Sequence, residues 1–215
     1  MLAAGLMLQT ISVHAGYLSL QALDAETGLP LADVVMEVEL PENLHAQFLS
    51  PAEREVDQQD KEFVARATLI TRNSQVRFPN SDNILHHVYS FSAAKVFELP
   101  LYGSGRNIDY LEKFEVAGVV ELGCNIHDWM LGYIYVAETD FAVVTGADGK
   151  GMINNIPAGS YRVKLWHPRA LPGDPALEQE VSVSDGELTQ LRIALSLSRD
   201  HRLRRAPGPS RSRYR

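Results

Sequence analysis

The sequence predicts an all-β protein of the sandwich or barrel type, and three observations favour this fold class. Short segments alternate between apolar and polar residues, turn-forming residues separate them at regular spacing, and no stretch has the apolar period of a long helix. Apolar residues make up 45% and charged residues 22% of the 215 positions. This composition is typical of a globular protein, and the length allows a sizeable core.

The first predicted strands lie close to the N-terminus. The segments GYLSLQAL and VVMEVEL each place every second residue on one apolar face, and a turn containing Gly28 and Pro30 separates them. Residues 41–61 are polar and contain two prolines, so they predict a connector, with a helical turn near Pro51 to Val56.

The middle of the chain predicts six strands, and the C-terminal third predicts several more. The six lie near residues 63–71, 75–78, 85–91, 96–102, 114–122 and 130–138, with residues 124–130 as the loop between the last two. The later strands are separated by turns at residues 147–149, 157–159 and 185–186. Many short strands at this spacing indicate packed β-sheets.

The first residues predict export. An apolar run from Leu2 to Ile11 is followed by Val13, His14 and Ala15, a small-residue pattern that favours cleavage before Gly16. Residues 1–15 are therefore expected to be a signal peptide, and the mature protein is expected to be exported and soluble. The apolar run is too short to span a bilayer, and no other stretch qualifies as a transmembrane helix.

Charge is distributed unevenly along the chain. Residues 199–215 contain seven arginines and one acid, about +6, whereas the whole chain carries −7. The acidic remainder argues against nucleic acid as the main partner. The tail is rich in Arg, Pro and Ser and predicts disorder. It is either a solvated terminus or a weak contact for an acidic partner or anionic lipid.

The chemistry of the sequence centres on Cys124, the only cysteine in the chain. Exported proteins usually pair their cysteines, and an internal disulfide is impossible here. The thiol is therefore buried and inert, bridged to another chain, or a thiolate with a chemical task. His127 and Met130 follow Cys124 in the spacing C-x-x-H-x-x-M, which favours the last of these interpretations.

A thiolate, an imidazole and a thioether form a soft ligand set, which favours copper. A type 1 copper site has two His, one Cys and a weak Met ligand, so a second histidine must come from an earlier strand. His86 and His87 are the candidates, and their side chains should point to opposite faces of a strand. His86 shares a face with Val88 and is the predicted ligand.

Two other chemistries compete with copper. Zinc binds Cys, His and carboxylates, and Asp128 would be the available acid, but structural zinc sites usually contain two or more cysteines. A nucleophilic pair of Cys124 and His127 is the other possibility. The sequence shows no clear orienting acid or oxyanion-binding turn for such a pair, so we expect no enzymatic activity.

Residues 63–138 resemble the cupredoxins, the small blue-copper proteins. The family's His-Asn-Val step matches His86, His87 and Val88, and its Cys, second His and Met fall on Cys124, His127 and Met130. The resemblance implies a Greek-key β-sandwich that holds one type 1 copper ion with His86, Cys124, His127 and Met130. It also implies that the protein carries electrons between a redox protein donor and a redox protein acceptor.

Three segments, FPNSDNILHHVYSFS, FELPLY and LGCNIHDWM, are similar to plastocyanin-like bacterial proteins labelled methylamine utilization proteins. That similarity implies a periplasmic electron carrier. Two positions depart from the family pattern. His87 replaces the usual Asn, which bears on the hydrogen bonds near the sulfur, and Leu122 replaces a frequent aromatic residue.

The flanking segments resemble a second family, the carboxypeptidase regulatory-like, transthyretin-type β-sandwich. The matching residues are Asp24, Gly28, Pro30, Asp148, Gly149, Pro157, Gly159 and Tyr161. Since the copper segment separates the two pieces, the resemblance implies an insertion. The alternative is a small N-terminal hairpin packed beside the copper domain, followed by a C-terminal sandwich.

The expected organisation therefore has six parts. They are a signal peptide (1–15), the first strands of the regulatory-like sandwich (16–44), a connector (45–62), the cupredoxin domain (63–138), the rest of the sandwich (139–198) and the basic tail (199–215). Two functions remain open. One is an exported electron carrier, and the other is a copper-binding or storage module whose sandwich engages a protein or cell-surface partner.

Overall fold

The computed structural model describes residues 15–105 and 110–200. The predicted signal peptide lies outside these residues apart from Ala15, and the predicted basic tail lies outside them apart from Arg199 and Asp200. Across the described ranges the regular structure consists of strands, one four-residue helix and two short 3-10 turns. The prediction of an all-β fold is confirmed.

The strands are short and follow one another closely. In chain order they are β1 (Ala15–Asp24), β2 (Val35–Glu39), β3 (Glu53–Glu55), β4 (Gln58–Gln59), β5 (Glu62–Phe63), β6 (Ala67–Thr71), β7 (Gln75–Arg77), β8 (Val88–Ser92), β9 (Lys95–Glu98), β10 (Leu111–Lys113), β11 (Gly118–Cys124), β12 (Leu131–Ala137), β13 (Ala142–Val144), β14 (Lys150–Pro157), β15 (Gly159–Trp166), β16 (Glu178–Val183) and β17 (Leu188–Leu195). The helix is α1 (Glu42–His45), and the 3-10 turns span Ala46–Phe48 and Pro175–Leu177.

Strands from both ends of the described chain form the first hydrophobic core, and we call this part the terminal sandwich. One sheet has the order β14-β1-β17 and the other has the order β13-β2-β15-β16. Alternate residues of β1 and β2 point between the two sheets, as the apolar period of two requires. The core includes Leu18, Leu20, Met36, Val38, Ile153, Ile156, Val163, Leu165, Val181 and Leu195. The chain leaves this sandwich after β2 and returns to it at β13.

The second core lies in the intervening segment, and we call this part the central sandwich. A five-stranded sheet has the order β6-β12-β11-β8-β9, and a three-stranded sheet has the order β10-β7-β3. The core includes Val56, Phe63, Val76, Phe78, Val88, Phe97, Phe114, Leu122, Met130 and Ile134. Burial of these side chains is the main source of stability here, at roughly 1.5–3 kcal/mol for each large apolar group.

The polar connector contains more structure than its composition indicates. The helical turn expected near Pro51 to Val56 is misplaced, because the helical residues are 42–48 and Glu53–Glu55 form β3. Parallel pairing of β3 with β7 supplies backbone partners that the local sequence does not reveal. Val56 then enters the central core, and Gln58 of β4 is fully buried.

The two sandwiches contact each other through one face of β2 and β12. Val35, Tyr135 and Ala137 form a small buried cluster, and the ring of Trp166 lies 5.8 Å from that of Tyr135. Glu37 is buried at this contact, where its carboxylate accepts a hydrogen bond of 2.7 Å from the Tyr135 hydroxyl. Burial raises the pKa of Glu37 above its ordinary value.

No helix within residues 15–105 and 110–200 has the length and apolar character that crossing a bilayer requires.

Candidate metal centre

The residues singled out by the C-x-x-H-x-x-M spacing meet at one end of the central sandwich. Cys124, expected in the loop, is the last residue of β11, and its backbone pairs with Val88 of β8. His86 lies two residues before Val88 and pairs with Tyr102 in an isolated bridge. Because the side-chain period of extended backbone is two, His86 and Val88 both point inward, and both are fully buried.

Three potential ligand atoms lie close together. The sulfur of Cys124 is 3.8 Å from Nδ1 of His86 and 3.5 Å from Nδ1 of His127. All three atoms lie within 4.8 Å of one another. His86 and Cys124 are buried, whereas His127 is half-buried at the edge of the cluster. Among the described residues no Asp or Glu joins this group.

The loop after β11 positions His127 and Met130 by its backbone hydrogen bonds. The amide of His127 donates to the carbonyl of Cys124 at 3.3 Å, and the amide of Met130 donates to the carbonyl of His127 at 2.9 Å. These two successive turns return every third residue to the same end of the sandwich. Met130 is buried and, together with Cys124, lines a groove of about 590 Å³.

His87 points away from the cluster. Its Nε2 atom lies 3.0 Å from a carboxylate oxygen of Glu98, which belongs to the neighbouring edge strand β9. The alternation of side chains along the extended backbone before β8 therefore separates the two adjacent histidines. His86 faces the sulfur, and His87 faces an exposed acid on the opposite side of the sheet.

Asp82 is a neighbour of the cluster that the sequence spacing did not reveal. One of its carboxylate oxygens lies 2.7 Å from Nε2 of His86. The same carboxylate accepts backbone hydrogen bonds from Asp60 at 2.7 Å and from Lys61 at 2.9 Å. Burial alone would raise the pKa of Asp82, but the hydrogen bonds from Lys61, His86 and Asp60 outweigh it and lower the pKa.

Trp129 connects His127 to the turn between β4 and β5, which contains Asp60 and Lys61. The two rings are 5.4 Å apart, and the indole N–H of Trp129 donates a 3.1 Å hydrogen bond to the carbonyl of Lys61. Burial, followed by the proximity of His86 and Lys61, lowers the pKa of His127 below its ordinary value. The neutral imidazole that a metal requires is therefore favoured at this position.

The other two described histidines make separate contacts. His45 lies 3.0 Å from the carbonyl of Leu40, and Nδ1 of His167 accepts a hydrogen bond of 3.2 Å from the amide of Arg169. Neither belongs to the group formed by Cys124 and its two imidazoles.

No family model and no curated protein matches the sequence. Solved structures similar to part of the chain include a purple cupredoxin from Nitrosopumilus maritimus, with 22% identity and a TM-score of 0.34 over 40% of this chain and 98% of that one. A copper-containing nitrite reductase from Thermus scotoductus has 24% identity and a TM-score of 0.37, over 46% of this chain and 27% of the reductase. Amicyanin from Paracoccus versutus has 19% identity and a TM-score of 0.35, over 43% of this chain and 87% of amicyanin. Each similarity spans less than half of this chain.

Proposed function

We propose that His86, Cys124, His127 and Met130 bind one copper ion as a type 1 site, and that the protein carries single electrons. The observation that carries this proposal is the position of the Cys124 sulfur, 3.8 Å and 3.5 Å from the Nδ1 atoms of the two histidines. Met130 is buried on the same loop and supplies the weaker soft donor.

The donor set fits copper better than zinc. Structural zinc sites usually contain several cysteines, and single-cysteine sites need carboxylate or additional imidazole ligands. Among the described residues no carboxylate joins the cluster. The carboxylate of Asp82 contacts Nε2 of His86 and not Nδ1, the nitrogen that faces the Cys124 sulfur. The remaining donor is the thioether of Met130, which is typical of copper sites.

When bound, copper would supply one-electron chemistry between its Cu(I) and Cu(II) states. The protein's part is to hold its donors in one arrangement that suits both states. Cys124 is fixed by the strand pairing of β11 with β8, and His86 is fixed by its bridge to Tyr102 and its contact with Asp82. Little movement of the protein then accompanies gain or loss of an electron.

The half-buried His127 is the point at which electrons would enter or leave. Its neighbours Asn125, Ile126 and Asp128 are exposed, so a donor or acceptor protein can approach the imidazole closely. His86, by contrast, is fully buried. We therefore place the docking surface for both redox partners on the loop of residues 125–128.

The proposed domain organisation follows from the two hydrophobic cores. We infer that the copper-binding unit begins near Glu53, since Val56 already packs in the central core, and ends near Ala137. It is inserted into the terminal sandwich, which is similar in its turn residues to the transthyretin-type family.

Export to the periplasm belongs to the same proposal, and the mass of protein recovered from a periplasmic extract would test cleavage near Ala15.

Voltammetry of the copper-loaded full chain tests electron transfer against copper storage. We expect one reversible one-electron couple and rapid electron self-exchange between oxidised and reduced protein. A storage protein would instead bind Cu(I) tightly without a stable Cu(II) form, and that result would contradict the electron-transfer proposal.

Variants of Cys124 and of the two adjacent histidines test the ligand assignment. Cys124→Ser should abolish the thiolate-to-copper absorption band, since the sulfur is the source of that transition. His86→Ala should also lose the band, whereas His87→Ala should keep it because His87 faces Glu98. A band that survives in His86→Ala and disappears in His87→Ala would reverse the assignment.

A further inference from the structure

The turn between β4 and β5 contacts the surroundings of both histidines in the cluster. We propose that this hairpin, Gln58–Phe63, acts with Asp82 as a clamp that fixes the tautomer and orientation of His86 and restrains His127. This inference rests on the proposed function, because it assigns positioning residues to the copper site. The turn of this hairpin, Asp60 and Lys61, lies in the polar segment that the sequence predicts to be a connector, whereas Asp82 lies outside that segment.

The first arm of the clamp is the carboxylate of Asp82. Two consecutive backbone amides, those of Asp60 and Lys61, donate to its two oxygens at 2.7 Å and 2.9 Å. The oxygen that receives the Lys61 amide also lies 2.7 Å from Nε2 of His86. The carboxylate is therefore held from both sides, and its position relative to the imidazole is set by the turn.

The turn adopts a backbone conformation that suits this contact. Asp60 and Lys61 have φ angles of 55° and 61°, in the left-handed region where residues with a side chain are rare. Two-residue hairpin turns of this hand are usually made by Asn-Gly or similar pairs. Here the two left-handed residues direct both amides towards Asp82.

The hydrogen bond to Asp82 determines which nitrogen of His86 carries the proton. An ionised carboxylate has no proton to donate, so Nε2 of the imidazole must be the donor. In the neutral ring Nδ1 then has a free lone pair, and this is the atom that faces the Cys124 sulfur at 3.8 Å. A carboxylate behind a histidine ligand fixes its tautomer and increases its basicity in the same way at metal sites generally.

The second arm reaches His127 through Trp129. The carbonyl of Lys61 accepts the indole N–H of Trp129 at 3.1 Å, and the indole ring lies 5.4 Å from the imidazole of His127. Phe63 anchors the base of the hairpin because it is buried in the central core. One turn thus contacts both Asp82, which bonds His86, and Trp129, which lies in the loop that carries His127.

The tautomer can be measured without any metal. Long-range nitrogen–proton NMR spectra of the metal-free, histidine-labelled full chain should show a single His86 tautomer with the proton on Nε2. Asp82→Ala should convert His86 to a mixture of tautomers. Asp174→Ala is the matched control, since the Asp174 carboxylate also accepts two backbone amides, those of Ala176 and Ser196, but makes no contact with the hairpin or with His86. It should leave the His86 signals unchanged.

A conservative variant covers the case in which Asp82→Ala does not fold. Asp82→Asn keeps an acceptor oxygen but loses the charge, which weakens the hydrogen bond. We expect the Nε2 proton of His86 to exchange with water about ten-fold faster in this variant. An unchanged exchange rate would overturn the proposed role of the carboxylate.

Metal affinity separates a positioning role from a purely local hydrogen bond. With Co(II) and Cu(I) as probes, Asp82→Ala should bind about 10- to 100-fold more weakly than the wild-type chain. Asp174→Ala should bind as the wild type does. A wild-type tautomer with the proton on Nδ1, or full affinity in Asp82→Ala, overturns the clamp. If the tautomer is as expected but neither metal binds the wild type, the copper proposal fails, and with it the positioning role.

Discussion

Gly132→Ala is expected to displace the Gln58–Phe63 hairpin, because Gly132 lies against Phe63. Gly132 lies on β12, and a β-carbon added there would come 2.9 Å from Cδ2 and 3.2 Å from Cβ of Phe63. Contacts below 3.0 Å are not tolerated, and the Cβ of Phe63 cannot move without its backbone. Phe63 is buried in the central core, so the strain must be relieved by shifting the hairpin or the sheet.

Two opposing contributions decide the magnitude. Overpacking a well-filled core costs about 1–3 kcal/mol. Replacing a strand glycine with alanine adds roughly 0.5–1 kcal/mol to the free energy of unfolding, because the unfolded chain loses conformational freedom. Overpacking is the larger contribution, so Gly132→Ala should lower the free energy of unfolding by about 1 kcal/mol. The displaced hairpin should also weaken the contact between Asp82 and His86.

Urea unfolding of the metal-free chain measures this effect directly. Gly146→Ala serves as the control, because its added β-carbon meets no atom closer than 3.4 Å. Phe63→Ala removes Cδ2 and Cγ, two of the three atoms nearest the added β-carbon, so the double variant with Gly132→Ala should lose less stability than the sum of the two single changes. A coupling of about 1 kcal/mol is expected for residues in direct contact. A neutral Gly132→Ala variant, or strictly additive effects, would refute the proposed packing of the hairpin on β12.

Two outcomes depend on pKa values. Burial raises the pKa of Glu37, so the stabilising contribution of its protonated form is present below the ordinary glutamate range and is lost as the pH rises through the raised value. Glu37→Gln should flatten this part of the pH dependence of the unfolding free energy, and an unchanged slope in urea titrations would contradict the burial of the carboxylate. The lowered pKa of His127 means that its ring protons should titrate in the metal-free chain with a midpoint below about 6.5 by NMR, and a midpoint at or above that value would be inconsistent with its burial beside His86.

The sequence was informative about the cluster because its three residues follow simple geometric periods. The period of two along extended backbone separates His86 from His87, and the structure buries the first while the second faces Glu98. The spacing from Cys124 to His127 suits a single turn, which the loop after β11 provides. Both features are local, so they can be predicted without knowledge of the tertiary contacts.

The surroundings of the cluster could not be predicted in the same way. The segment of Asp60 and Lys61 has neither apolar alternation nor a glycine at its turn. Nothing in it therefore indicates a hairpin whose turn residues have left-handed backbone conformations. This turn matters because its backbone amides donate to Asp82. The positions of these amides depend on the packing of Phe63. A local sequence pattern does not predict the burial of polar groups by tertiary contacts.

Glu37 illustrates the same limit at the contact between the two sandwiches. Alternation along β2 places Met36 and Val38 in the core of the terminal sandwich, so Glu37 is expected to face solvent. It is buried because the central sandwich packs against that face and supplies the Tyr135 hydroxyl as a hydrogen-bond donor. Only the arrangement of the two sandwiches reveals this environment.

The most direct test of the proposed copper site is a combined absorption and EPR spectrum of the purified chain after addition of one equivalent of Cu(II). We expect an intense thiolate-to-copper band and a narrow copper hyperfine splitting, because the Cys124 sulfur would be a ligand. A colourless protein with a broad hyperfine splitting, or one that binds zinc but no copper, would contradict the assignment of a type 1 site.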